Sequence, residues 1–142
     1  MKRSGRLQRI ADLSTTAEQL AAQAVAHAVE ELERIKTQIQ ALGGYRDEYL
    51  RPLHVPGGEG VGAYQAQKLR LFVGKIEEAV AVLEKKRVMA ERKVEHERGL
   101  WMEQKRRAIM TSKVADRARA DEAVVAERNL QREIDDLPRR LP

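Results

Sequence analysis

The sequence has little of what a compact globular domain requires. Its 142 residues include no cysteine, one tryptophan, one phenylalanine and three tyrosines. The absence of cysteine excludes a disulfide framework, a thiol nucleophile and a cysteine-based zinc site. So few large apolar side chains cannot build a sizeable core, and an enclosed cavity for chemistry is not expected.

Proline is also scarce, and its positions divide the chain. The four prolines are Pro52, Pro56, Pro138 and Pro142, and four glycines lie in residues 57–62. Proline removes a backbone donor and consecutive glycines raise the entropy cost of regular structure, so both interrupt helices. The sequence therefore predicts a helix at about 5–50, a hinge at 51–62 and a second helix at about 63–137. The predicted fold is a single all-α domain over residues 1–142, an antiparallel two-helix coiled coil with an overhanging C-terminal helix.

Apolar residues recur at intervals of three and four in both helices, which is typical of a coiled-coil seam, the row of positions that faces the partner helix. In the first helix the predicted seam contains a stutter, a run of four-residue steps that unwinds the supercoil locally. Its positions are Ile10, Leu13, Ala17, Leu20, Ala24, Ala28, Leu32, Ile35, Ile39 and Leu42. The second helix keeps strict heptads, with seam positions Val73, Ile76, Val80, Leu83, Arg87, Ala90, Val94, Glu97, Trp101, Gln104, Ala108, Thr111, Ala115, Ala118, Glu122 and Val125.

The unequal helix lengths predict an overhang. If the hinge brings Leu42 opposite Val73, residue 8 lies opposite residue 107, and the chain beyond about residue 110 projects without a partner. An unpaired helix of that length is marginal in water, so we expect it to open or to await a partner.

The charge distribution leaves a nucleic-acid interface open as an alternative. The net charge is +5, and residues 85–119 contain twelve lysines and arginines against five acidic residues. Such a stripe could attract nucleic acid through Arg92, Lys93, Arg106 and Arg107. The interleaved glutamates suit intrahelical ion pairs instead, and base-stacking aromatic residues are missing. We therefore expect no nucleic-acid partner.

Catalytic and membrane functions find no support in the sequence. His27, His54 and His96 are isolated, and the glycine-rich hinge lacks the strand and the Gly-Lys-Ser/Thr ending of a phosphate loop. No stretch approaches the ~20 apolar residues that span a bilayer. We expect a soluble cytoplasmic protein that is not an enzyme, holds no cofactor or metal and does not insert into membranes.

Several segments resemble, in order, the FliJ family of flagellar type III export proteins. The similarity covers Gln38 to about Arg132. It includes Tyr45-Arg46-Asp47-Glu48-Tyr49, the glycine-rich hinge, Phe72-Val73-Gly74-Lys75-Ile76, Trp101-Met102-Glu103-Gln104-Lys105 and Ala126-Glu127-Arg128-Asn129. The pattern of two tyrosines one turn apart, hinge, Phe72 and Trp101 is its most specific part.

The resemblance implies a non-enzymatic stalk that links the hexameric export ATPase to the cytoplasmic domain of the export gate and helps to recycle export chaperones. It implies a monomer in the cytoplasm, peripherally associated with the inner membrane at the flagellar basal body. The implied gate-binding residues are Gln38, Leu42, Tyr45, Tyr49, Phe72, Ile76, Ala79 and Leu83. The implied ATPase-ring-binding residues are Leu7, Arg9, Asp12, Arg117, Arg119, Arg128 and Arg132.

Two alternatives remain open at the level of the sequence. One is the equivalent stalk of a virulence type III secretion system, which has the same architecture. The other is a general coiled-coil scaffold that self-associates into four-helix assemblies.

Overall fold

A computed structural model describes residues 2–54 and 62–138 of the chain. Helix α1 is Arg3–Leu50, a 3₁₀ turn follows at Arg51–His54, and helix α2 is Ala63–Asp135. No strand occurs in the described ranges. The fold is an all-α, antiparallel two-helix coiled coil, which confirms the predicted fold class. Most of the predicted hinge, residues 55–61, lies outside the described residues.

The chain divides into two compact units. The terminal unit is Met1–Gln23 with Gly99–Pro142, and the central unit is Ala24–Arg98. Each unit contains one segment of α1 and one segment of α2. The expectation of a single domain stays a prediction.

The heptad seam predicted for α2 is confirmed up to Glu122. In the central unit the buried seam residues are Val73, Ile76, Ala90 and Val94. In the terminal unit they are Ala115 and Ala118, and Glu122 is half-buried. Val125, the next predicted seam position, is exposed, so the seam ends at Glu122.

The seam predicted for α1 is confirmed in the central unit and wrong in the terminal unit. In the central unit Ala28 and Ile35 are buried and Leu42 is half-buried, as predicted. In the terminal unit Leu13 is 66% exposed, and Ile10 and Leu20 also lie on the surface. The buried positions there are Ser4, Ala11 and Ser14, which keep the three- and four-residue alternation without a stutter. Because the seam of α2 repeats every seven residues, the row of α1 that packs against it must repeat every seven residues too. In the terminal unit the row with that repeat contains small residues, and larger apolar residues lie beside it.

The predicted register is also wrong, by about two turns. In the central unit Leu42 lines a shallow groove with Ala79, Val82 and Leu83, and does not lie opposite Val73. In the terminal unit Ser4 contacts Glu122, so pairing continues well past residue 110. The overhang therefore begins after Glu122, and every residue from 123 to 138 is exposed.

Candidate partner-binding surfaces

An aromatic patch lies on the surface of the central unit. Tyr45, Tyr49 and Phe72 are all exposed, although large aromatic side chains usually gain by burial. The rings of Tyr49 and Phe72 meet edge to face, with centroids 4.8 Å apart and planes at 66°. This contact between α1 and α2 holds two aromatic rings side by side where a partner can reach them.

A shallow apolar groove in the same unit contains four more of the predicted gate-binding residues. Its lining comprises Gln38, Ala41, Leu42, Ala79, Val82 and Leu83. Ala41 and Val82 were absent from the predicted set, although both lie one position away from predicted residues in a helix. The groove adds an apolar floor to a surface that could bind a protein partner.

Ile76 does not belong to this surface. It was predicted as a gate-binding residue, but only 7% of it is exposed. Ile76 occupies a seam position of α2, where its side chain packs toward α1. A partner that binds the exposed residues cannot contact it directly.

Tyr64 is a further exposed aromatic residue of the central unit, and the sequence analysis did not single it out. The Lys68 ammonium group lies 4.5 Å from the centroid of its ring, a cation–π contact within one turn of α2. Like the patch tyrosines, Tyr64 carries a phenol ring and is exposed. Tyr64 therefore offers a matched control for them.

The predicted ATPase-binding residues all belong to the terminal unit, but they do not form one cluster. Leu7 lines a groove with Ile10, Met110, Thr111 and Val114. Asp12 accepts a hydrogen bond from Gln8 Nε2 at 2.9 Å, and Arg119 forms an ion pair with Asp116. The other members are exposed arginines, namely Arg9, Arg117, Arg128 and Arg132, of which the last two lie on the overhang. These side chains offer a dispersed, mostly basic surface.

The start of α1 is fastened to α2 by a contact that the sequence analysis missed. The backbone amide of Ser4 donates to Glu122 Oε1 at 3.0 Å, and its hydroxyl donates to Oε2 at 2.5 Å. These two hydrogen bonds, with the nearby charges of Lys2 and Arg3, hold the pKa of Glu122 below its ordinary value. Glu122 thus satisfies one of the free amides in the first turn of α1.

Trp101 is tied to α1 by its polar edge. Its indole nitrogen donates to Glu18 Oε1 at 2.7 Å, and Lys105 lies 5.1 Å from the ring centroid. Glu18 is a seam position in the observed heptads of α1, so the pair places a hydrogen bond within the helix interface. The sequence predicts Trp101 only as a seam residue and as part of the family pattern, without this hydrogen bond.

The basic stripe of α2 is partly neutralised by acids of the same helix. Arg87 lies 2.7 Å from both Glu84 and Glu91, and its hydrogen bond and charge interaction with Glu84 raise its pKa above the ordinary value. Further intrahelical ion pairs join Arg98 to Glu95, Arg107 to Glu103 and Arg119 to Asp116. This arrangement is typical of a solvated helix surface rather than of a continuous basic region.

Neither a metal site nor a membrane span is evident in the described parts of the chain. Residues 2–54 and 62–138 contain no group of three His, Asp or Glu side chains placed to hold a metal ion. Among the same residues, neither helix combines the length and the apolar character needed to cross a bilayer.

The fold defines the class of protein, an antiparallel two-helix coiled coil, whose described surface includes an aromatic patch, a shallow apolar groove and a dispersed, mostly basic region. The model of one protein family, described as the flagellar FliJ protein, matches residues 1–142. The chain therefore belongs to the FliJ family, and it is a component of the flagellar export apparatus, with a part in protein transport. This is a family of non-catalytic export components. No curated protein and no solved structure matches the chain significantly.

Proposed function

We propose that this protein is the stalk and adaptor that links the export ATPase ring to the cytoplasmic domain of the export gate, and that it assists the recycling of export chaperones. It acts in the cytoplasm, at the inner membrane beneath the flagellar basal body. The observation that carries the proposal is the exposed aromatic patch of Tyr45, Tyr49 and Phe72 in a chain that matches the FliJ family throughout.

The patch has the composition of a protein-binding site. Aromatic residues dominate the energetics of most protein interfaces because they bury a large area with little loss of side-chain entropy. The Tyr49–Phe72 contact fixes both rings before binding, which lowers the entropy cost further. The apolar groove beside Leu42 extends the surface that a gate domain would cover.

The terminal unit suits a looser contact with a moving ring. Its predicted ATPase-binding residues are mainly exposed arginines, and exposed ion pairs are each worth only about 0–1 kcal/mol. Weak ion pairs with the ring can break and re-form one at a time, whereas a tightly packed apolar interface would have to separate all at once. This is the behaviour that a shaft inside a rotary ATPase requires.

Gate binding by the patch is tested with Tyr45, Tyr49 and Phe72 changed together to alanine. The affinity of the purified protein for the gate's cytoplasmic domain is measured by calorimetry. We expect a loss of at least tenfold, since interface aromatic residues cost about 2 kcal/mol or more on truncation. Tyr64→Ala is the matched control and should bind normally. Unchanged binding by a triple variant with normal helicity would remove the patch from the gate interface.

The ATPase contact is tested separately by stimulation of the export ATPase. We expect Arg128→Ala combined with Arg132→Ala to reduce the stimulation and to leave gate binding intact. Arg92→Ala serves as the control, because Arg92 is an exposed arginine of the central unit that makes no salt bridge with any described residue. Full stimulation by the double variant would exclude these arginines from the ATPase contact.

A further inference from the structure

The face of α2 that points away from the seam carries a second apolar stripe in the terminal unit. Residues seven positions apart share one face of a coiled-coil helix. Met102, Ile109, Ala123 and Leu130 follow this spacing, interrupted only by Asp116. All four are exposed, and Val124 and Met110 lie exposed beside them, Met110 at the border between this face and the groove that Leu7 lines. We call residues 102–134 on this side of α2 the outer face.

The outer face changes its charge at Ala120. The central row of this face, again at intervals of seven, is Arg106, Lys113, Ala120, Glu127 and Ile134. Two basic residues precede the alanine and an acidic residue follows it. Lys113 and Glu127 stand at equal distances from Ala120, seven positions before and after it. Neither forms a salt bridge with another described residue of its own chain.

We propose that the outer face binds a second copy of this chain, with the two α2 helices antiparallel and the two-fold axis at Ala120. A two-fold interface requires a surface that is complementary to itself, so that each contact occurs twice. In this arrangement Lys113 of each copy meets Glu127 of the other. Met110, 66% exposed, meets Leu130, 57% exposed, and the small side chains at Ala120 let the helices approach at the axis.

The charge and the length of two segments of α2 indicate that the partner on the outer face is a second copy of this chain. Residues 99–117 carry five basic and two acidic residues, whereas the overhang from 123 to 138 carries two basic and four acidic residues. The antiparallel arrangement places each acidic segment, about four turns long, along the basic segment of the other copy, which is about five turns long. A methionine side chain adapts to the shape of its partner, which suits an interface that must also open.

This inference goes beyond the proposed function and does not depend on it, because it is tested without the ATPase or the gate. It also replaces the expectation of a monomer with a dimer at micromolar concentration. Only its biological consequence rests on the proposed function: a dimer would cover the overhang that we assign to the ATPase contact, so the free protein would be stored as a dimer.

A charge exchange tests the pairing of Lys113 with Glu127. Sedimentation equilibrium of the full chain measures the dimer dissociation constant. Glu127→Lys alone and Lys113→Glu alone should each weaken the dimer about tenfold or more, since two attractive contacts become repulsive. The double exchange should restore it to near the original value. Glu133→Lys, the same charge change off the outer face, should weaken it much less. A monomer at all concentrations, or a double exchange no better than either single change, would overturn the proposal.

The absence of native cysteine allows the axis to be located by disulfide formation. A disulfide requires Cα atoms within about 7 Å, which an antiparallel pair offers to identical residues only at its axis. Ala120→Cys should therefore form covalent dimers rapidly under mild oxidation. Gln131→Cys, on the outer face away from the axis, and Ala126→Cys, off that face, should not. Equal crosslinking at 120 and 131 would indicate a parallel pair and would refute the antiparallel arrangement.

Discussion

Ser4 and Glu122, 118 positions apart in the chain, are joined by two hydrogen bonds, one from the backbone amide and one from the hydroxyl of Ser4. The contact marks the place where the pairing of α1 with α2 begins. It also leaves the overhang from residue 123 onward without support from α1. The contact between Ser4 and Glu122 therefore fixes where the overhang begins and how much of α2 the proposed dimer can use.

Removing the hydroxyl of Ser4 should loosen the first turn of α1. We expect Ser4→Ala to speed hydrogen exchange of the amides in residues 5–8 severalfold, because Glu122 keeps only its bond from the backbone amide. Amides near Ile35, in the central unit, should exchange at their original rates. An unchanged first turn would mean that the side-chain bond contributes nothing to holding α1.

The same contact predicts a response to acid. The pKa of Glu122 is lowered in the folded protein from its ordinary value of 4.5. A carboxyl group whose pKa is lowered by folding stabilises the folded state when the pH is above the ordinary pKa. That contribution is lost as the pH falls through the pKa of the folded state. Protection of the first turn of α1 should therefore fall below about pH 4.5. Glu122→Gln should give a weakly protected first turn whose exchange no longer responds to this titration.

The corrected seam of α1 makes a prediction about stability. Ile35→Ala removes a buried side chain and should lower the free energy of unfolding by about 2–5 kcal/mol. Leu13→Ala removes the same number of carbon atoms, yet Leu13 is exposed and the change should cost less than about 0.5 kcal/mol. Urea denaturation measures both. A large loss from Leu13→Ala would favour the stuttered seam instead.

The small residues of the terminal seam should not tolerate enlargement. Ala115 is fully buried, so Ala115→Leu should destabilise the protein by about 1–3 kcal/mol through overpacking. Ala126→Leu, the same change at an exposed position of α2, should have little effect. Equal stability of the two variants would show that the helices can separate at Ala115 without cost.

The aromatic contact of the central unit should be measurable as a coupling energy. Tyr49→Ala and Phe72→Ala, alone and together, form a double-mutant cycle in the free energy of unfolding. We expect a coupling of about 0.5–1.5 kcal/mol, the range for edge-to-face aromatic pairs. Additive effects would mean that the two rings are adjacent without stabilising each other.

The surface that we propose for gate binding could be predicted only in part from the sequence. The resemblance identified the tyrosines and Phe72, and all three are exposed. It also identified Ile76, which the heptad pattern had placed in the seam, and the structure agrees with the heptad pattern because Ile76 is buried there. Ala41 and Val82 were missed because small and β-branched residues of a helix give no distinctive signal.

The sequence by itself determined that the chain forms two helices and that α2 presents a heptad seam, whereas the structure showed that this seam ends at Glu122. Helix breakers and apolar periodicity are local properties, so they can be recognised without knowledge of the partner. The tertiary structure decided which of two overlapping rows on α1 faces α2 in the terminal unit, and which residues lie opposite one another. That choice depends on the phase and the side-chain size of the facing helix. Ser4, Ala11 and Ser14 are buried in preference to the larger Ile10 and Leu13. The reason is that two closely packed helices must keep the same seven-residue repeat along their shared seam.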